Sequence, residues 1–325
     1  MANLTSVSTI AEQAEASATA PTVLPFRMFS VRLARTEQLC PSVRRLTFTG
    51  DDLHQFADNG FDQRIKFFLP LAGLAYDELI ELGADNDWYG RYRVLPDDRR
   101  HPIRTYTARG VRPEVRELDV DVVLHGDTGP ASRWAGQAVP GDELVILGPN
   151  AEADGPHGGV DFVPPAHADR LLIAGDETAL PAIAGILERL PADARGEALI
   201  EMPHGDDHID LAAPAGVTVR WYGRDGRPHG DLLVPAVQAA ARLLPGQAPA
   251  PEVELEDVDI ETGLLWETPV DEHGAPLRSS TALYAWLAGE AGVIKTLRRH
   301  LVAGCGVDRR SVAFMGYWRA GRPES

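Results

Sequence analysis

The chain has 325 residues, 44% hydrophobic and 24% charged, with a formal net charge of -17. That is enough chain for two ordinary domains, and the balance is that of a soluble globular protein. An acidic surface repels phosphate backbones and anionic lipid, which argues against nucleic acid or a membrane as partner.

The first 25 residues (MANLTSVSTIAEQAEASATAPTVLP) carry no basic n-region and no apolar h-region. They read as a disordered leader. No stretch reaches the roughly 20 apolar residues that span a bilayer. Cys40 and Cys305 are too few for a disulfide framework or an iron–sulfur cluster, and they read as reduced thiols of a cytoplasmic protein. Only Lys66 and Lys295 among the 31 basic residues are lysines.

Residues 26–155 carry β signals. SVRRLTFTG, RIKFFLP, ELDVDVVLHG and DELVILGP alternate apolar and polar residues, with turn residues such as Pro140-Gly141-Asp142 between them. In the third, Leu118, Val120, Val122 and Leu124 share one face and Asp119, Asp121 and His125 the other. Short antiparallel strands of this kind predict a barrel, interrupted by an insertion over 71–100.

Residues 166–325 alternate strand and helix. RLLIAG, GEALIEM, VTVRWY, TALYAWLAG and VAFMGYW are strands; TALPAIAGILERL, DLLVPAVQAAARLL and AGVIKTLRRHLV are helices. That order predicts a doubly wound parallel sheet. The Pro- and acid-rich stretch 245–280 reads as a surface loop.

Several short motifs can carry chemistry. In Arg104-Thr105-Tyr106-Thr107, Tyr106 offers a flat face to a flavin, Thr107 a donor to its reactive nitrogen, and Arg104 a bidentate fork to a pyrophosphate. The run from His125 to Trp134 joins a strand to a short helix. Gly126 and Gly129 permit close approach, and the helix start at Ala131 and Ser132 presents N–H groups to a phosphate. Gly175-Asp176-Glu177-Thr178-Ala179-Leu180-Pro181 sits at a strand-to-helix turn, with Thr178 expected as N-cap. It lacks the G-x-G-x-x-G glycines, and its carboxylates disfavour the usual pyrophosphate contact. Gly289-Glu290 ends another strand, and Gly316-Tyr317-Trp318-Arg319 lies near the C-terminus. Each motif also has a plain structural reading as turn, cap or core.

Together, R-T-Y-T, D-V-V-L-H-G-x-x-G-P-A-S-x-W-A, G-D-E-T-A-L-P-A, W-L-A-G-E and G-Y-W-R-A-G resemble the siderophore-interacting protein family over about residues 26–321. These are flavin-dependent ferric-siderophore reductases related to the ferredoxin–NADP reductases. The resemblance implies an antiparallel Greek-key flavin-binding barrel followed by a doubly wound nicotinamide-binding domain. It implies FAD held by Arg104, Tyr106, Thr107, His125, Gly129, Ala131, Ser132 and Trp134. It also implies NADPH or NADH against Asp176, Glu177, Thr178, Gly289 and Glu290; Tyr317 and Trp318 are further candidates for cofactor binding. The substrate would be a ferric siderophore and the protein a monomer, with no catalytic acid or base and no protein-bound metal. A general flavin or ferredoxin reductase and a non-catalytic siderophore-binding module are the competing readings.

Two further expectations concern charge. Arg224, just past VTVRWY, is placed to meet a 2′-phosphate and so to favour NADPH. From Lys295 to Ser325 seven basic residues face two acidic ones, against the overall acidity. Lys66 and Lys295 are the candidates for admitting an anionic siderophore.

Overall fold

The structure, a computed structural model, describes residues 23–84, 87–124, 129–242 and 265–321. Most of the N-terminal leader, His125, and residues 243–264 of the expected loop lie outside the described residues.

The first half forms a seven-stranded antiparallel sheet from β1 (Phe26–Cys40), β2 (Val43–Thr49), β3 (Arg64–Phe68), β4 (Ile103–Thr107), β5 (Gly110–Arg112), β6 (Glu117–Val123) and β7 (Glu143–Pro149). Their order is β4-β3-β7-β1-β2-β6-β5. The sheet curls until the end of β4 meets β6, where the Arg109 N–H bonds the Asp119 carbonyl at 2.9 Å. Every second residue points inward. Phe29, Leu33, Leu46, Phe48, Ile65 and Phe67 thus form a dry core with Leu118, Val120 and Val122. The opposite face of β6 departs from simple alternation, because Asp119 and Asp121 are buried as well. Their charges are met across the strands: Asp121 by Arg45 at 2.7 Å and Asp119 by Arg112 at 2.7 Å. The pairing offsets the desolvation that an isolated carboxylate would suffer.

The 71–100 insertion supplies α1 (Asp77–Leu82) and α2 (Trp88–Arg93). Leu79 and Tyr92 pack with Phe68, Val145 and Leu147 in a satellite core outside the barrel. The next helix, α3 (Pro130–Gln137), lays Ala131, Ala135 and Trp134 on the main barrel core.

The second half is a six-stranded sheet of β8 (Arg170–Asp176), β9 (Gly196–Met202), β10 (Val217–Gly223), β11 (Trp266–Glu267), β12 (Leu283–Glu290) and β13 (Val312–Trp318). Its order is β10-β9-β8-β12-β13-β11, all parallel except β11. Helix α4 (Leu180–Arg189) covers one face; α5 (Leu233–Arg242) and α6 (Ala291–Arg298) cover the other. Two differences from expectation appear. The stretch read as loop contains β11, whose Trp266 and Glu267 pair with Met315 and Phe314. After α6 the chain continues as a wider π-type turn over Arg299–Gly304. Among the described residues, no helix is long and apolar enough to cross a membrane.

Candidate functional site

The register of β3 and β4 places Phe67 opposite Arg104 and Ile65 opposite Tyr106, and Lys66 opposite Thr105 and Arg64 opposite Thr107. Residues paired in register share a face. Arg104 and Tyr106 therefore lie on the barrel-core side, where the Tyr106 ring meets Phe67 at 4.6 Å. Thr105 and Thr107 lie on the other, with Lys66 Nζ donating to Thr105 Oγ1 at 3.3 Å. Thr107 is buried, on the opposite side of β4 from Tyr106.

Helix α3 begins at Pro130 with Gly129 as its N-cap, in extended conformation and with no side-chain cap. Uncapped N–H groups and the positive end of the helix dipole suit an anion. A Cβ on Gly129 would meet nothing within 4 Å. Packing among the described residues does not demand glycine there, and the space beside it is open. Ala131, Ser132 and Trp134 follow on the same short helix, with Trp134 stacked over Phe48 at 6.4 Å. An anion-accepting helix start in the same core as the Tyr106 ring fits FAD.

The parallel sheet has its switch point between β8 and β12. The helices that follow them, α4 and α6, leave to opposite faces, and the carboxyl ends of two such strands are where open α/β sheets bind ligands. Asp176, Glu177, Gly289 and Glu290 meet there. Gly289 has φ +147°, and a Cβ on it would stand 2.6 Å from the Asp176 carboxylate. Glu290 caps α6 by accepting the Val293 N–H at 2.9 Å. Thr178 does not cap α4. That helix starts at Leu180 without a side-chain cap, and Thr178 donates its N–H and hydroxyl to Asp176 instead, at 2.9 and 2.5 Å.

Three other expectations are corrected. Arg224 is not a surface arginine open to a 2′-phosphate. It is buried, and both arms of its fork bond Glu177, at 2.7 and 2.8 Å. The Tyr317 ring faces the core, because alternation along β13 turns it away from Trp318. It stacks on Trp266 at 5.6 Å and meets Trp286 edge-on. Three of the seven C-terminal basic residues are paired with carboxylates: Glu267 bonds Arg298 and Arg309, and Asp308 bonds Arg310. Lys295 lies on α6, on a different sheet from Lys66.

Asp176, Glu177 and His229 offer ligand atoms within 4.8 Å of one another. The carboxylates are already engaged, Asp176 by hydrogen-bond donors and Glu177 by Arg224. Burial and the adjacent Glu177 charge push the Asp176 carboxyl up to about 7. Burial, then Arg224, holds the His229 imidazole below its usual range.

Sequence reasoning missed the junction of the two sheets. Asp62 there accepts the N–H groups of Asp161 and Phe162 and the Trp286 indole. Arg64 lies over the Trp266 ring at 4.5 Å and pairs with Asp161 at 2.9 Å. No local pattern marks these residues, since each is defined by partners distant in sequence. A polar cleft of about 610 Å³ also opens between barrel and sheet, lined by residues including Arg45, Arg109, Glu188 and Trp221; none of the sequence-selected residues lines it.

Residues 32–153 match the siderophore-interacting FAD-binding domain, and residues 168–321 match the siderophore-interacting protein model. The crystal structure of the siderophore-interacting protein SipS from Aeromonas hydrophila is 33% identical, with a TM-score of 0.63, over 92% of this chain and 94% of that one. The ferric vibriobactin reductase ViuB of Vibrio cholerae is 27% identical over 89% of both chains. The NADPH-dependent ferric-chelate reductase of Escherichia coli is 28% identical over 91% of this chain and 94% of its own. With its ferredoxin reductase-like pairing of an antiparallel half-barrel and an α/β sheet, the chain belongs to the siderophore-interacting protein family.

Proposed function

We propose that this protein is an FAD-containing reductase that moves electrons from NADPH to iron held as Fe(III) in a siderophore, releasing it as Fe(II). The observation that supports the reading is the pairing of two sites in one chain: the uncapped start of α3, whose Ala131 and Trp134 share a core with Tyr106, and the strand ends at the switch point, where Asp176 meets Gly289 and Glu290. The names of the Vibrio and Escherichia relatives support the acceptor and the NADPH donor.

Bound FAD supplies the conversion from a two-electron hydride donor to a one-electron acceptor. One NADPH and two Fe(III) thus yield NADP⁺, a proton and two Fe(II). The residues of the chain hold and orient. Arg104 and the α3 N–H groups neutralise the pyrophosphate, and Tyr106 gives the ring an apolar face. The strand ends at the switch point receive the nicotinamide, where the carboxylates suit a ring that becomes cationic when it loses hydride. No side chain needs to act as nucleophile or general base. Hard oxygen chelators hold Fe(II) more weakly than Fe(III), so release follows reduction.

Within this reading, residues 26–155 form the flavin domain and 166–325 the nicotinamide domain. Lys66, beside β4, and Lys295 are the cations that admit an anionic chelate. The protein acts as a cytoplasmic monomer. The test is an anaerobic assay of purified protein with NADPH or NADH, a panel of ferric siderophores and a ferrous trap. Nicotinamide-dependent trapping of Fe(II) is expected. Flavin reduction without Fe(II) release would favour a general flavin reductase, and absence of flavin reduction a binding module.

A further inference from the structure

The Asp176 carboxylate gathers three separate segments. Its Oδ1 accepts the N–H and hydroxyl of Thr178; its Oδ2 accepts the Glu290 N–H at 2.8 Å and the Trp318 indole N–H at 2.9 Å. Trp318 is the last residue of β13 and is half-buried, with the His229 ring edge-on against it at 4.7 Å. A large ring at a strand end has several rotamers open to it. Here the bond from its only N–H to a buried carboxylate selects one. The fit depends on Gly289, because any side chain there would collide with the same carboxylate. The indole stands beside Glu290, its neighbour in the β12–β13 register, at the carboxyl ends of both strands.

We propose that Asp176 is a positioning residue that fixes the Trp318 indole as one wall of the nicotinamide pocket. The proposal rests on the reading above. A nicotinamide ring needs a flat apolar surface held at a set angle, and an indole pinned by its N–H provides it. The charged and titratable groups around Asp176 are Glu177, which Arg224 neutralises, together with His229 and Glu290. All four groups that bond the carboxylate are donors. Gaining a proton near pH 7 removes one acceptor position, so the indole environment changes across neutral pH.

The cofactor-free protein provides the first test. The emission difference between wild type and Trp318→Phe isolates Trp318. That difference is expected to titrate between about pH 6 and pH 8, to lose its titration in Asp176→Asn and to keep it in His229→Gln. With FAD bound, Asp176→Asn and Trp318→Phe are each expected to raise the KM for NADPH about tenfold with kcat within about twofold, as loss of a charge-assisted bond implies. The double variant is expected to be no worse than either single one. A Trp318 emission difference that Asp176→Asn leaves unchanged at every pH, or additive effects in the double variant, overturns the proposal. If the wild type oxidises neither NADPH nor NADH, the reductase reading fails, while the change in Trp318 emission between wild type and Asp176→Asn still decides whether Asp176 holds the indole.

Discussion

The carboxylate of Asp62 accepts the indole N–H of Trp286 at 2.9 Å, joining the barrel to a middle strand of the sheet across 224 residues. The same carboxylate holds the N–H groups of Asp161 and Phe162 in the connecting segment, both at 3.1 Å. One buried side chain thus sets how barrel, connection and sheet meet.

Burial and the Asp161 charge push the Asp62 carboxyl from 3.8 up to about 6. Between those values the folded protein keeps a proton that the unfolded chain has released. The contribution of this group to stability is therefore full below about pH 4 and is lost as pH rises through about 6. Asp62→Asn removes that dependence, so its melting temperature should gain on the wild type as pH rises from 4 to 7. Asp62→Ala leaves three buried donors without an acceptor and should cost about 3 kcal/mol or more at every pH. Parallel wild-type and variant slopes would place the titrating group elsewhere.

The purified protein should be yellow and, on heat denaturation, release FAD rather than FMN. Arg104→Ala should weaken FAD retention by about 10- to 100-fold, the equivalent of a charge-assisted contact of about 1.5–3 kcal/mol. Titration of the apo-protein with FAD, followed by flavin fluorescence, measures this. Equal affinity in wild type and variant would remove Arg104 from the cradle.

Arg224→Ala should act on folding and not on cofactor choice. It leaves Glu177 buried without its cation, which typically costs about 3–5 kcal/mol. Urea unfolding should report the loss, and the ratio of kcat/KM for NADPH over NADH should stay at the wild-type value. A selective loss with NADPH would return Arg224 to the 2′-phosphate.

Reduction of an anionic ferric siderophore should slow with added salt, because screening shortens the reach of exposed charges to about 8 Å at physiological ionic strength. Lys66→Glu and Lys295→Glu should each slow it while leaving flavin reduction by nicotinamide intact. Stopped-flow traces at both steps separate the two effects. Wild-type rates in both variants would place the entry elsewhere.

Strands whose neighbours in sequence decide their character were legible. GEALIEM occupies β9 from end to end, and RLLIAG forms all but the last residue of β8; both are buried over most of their length, and RLLIAG reads as an apolar run. The turn at Asp176 and the start of α3 were legible because helix starts and strand ends carry local marks. What escaped was set by distant partners. Asp119 and Asp121 read only as the polar face of their strand, and their burial is set by Arg45 and Arg112 on neighbouring strands. Arg224 read as a surface cation because Glu177, which buries it, lies 47 residues away. Trp266 sat in a stretch whose composition suggests only loop, and its pairing with Met315 is non-local.

That pairing has a consequence for behaviour at high concentration. Beyond β13 the sheet would otherwise end in a row of unsatisfied backbone groups, a ready template for another molecule's strand. The two residues of β11 occupy part of that row, running against the sheet's direction. Glu267, tied to Arg298 and Arg309, sets a charged plug beside it. An incoming strand would have to displace both, so β11 acts as a terminator that guards this flank against edge-to-edge aggregation.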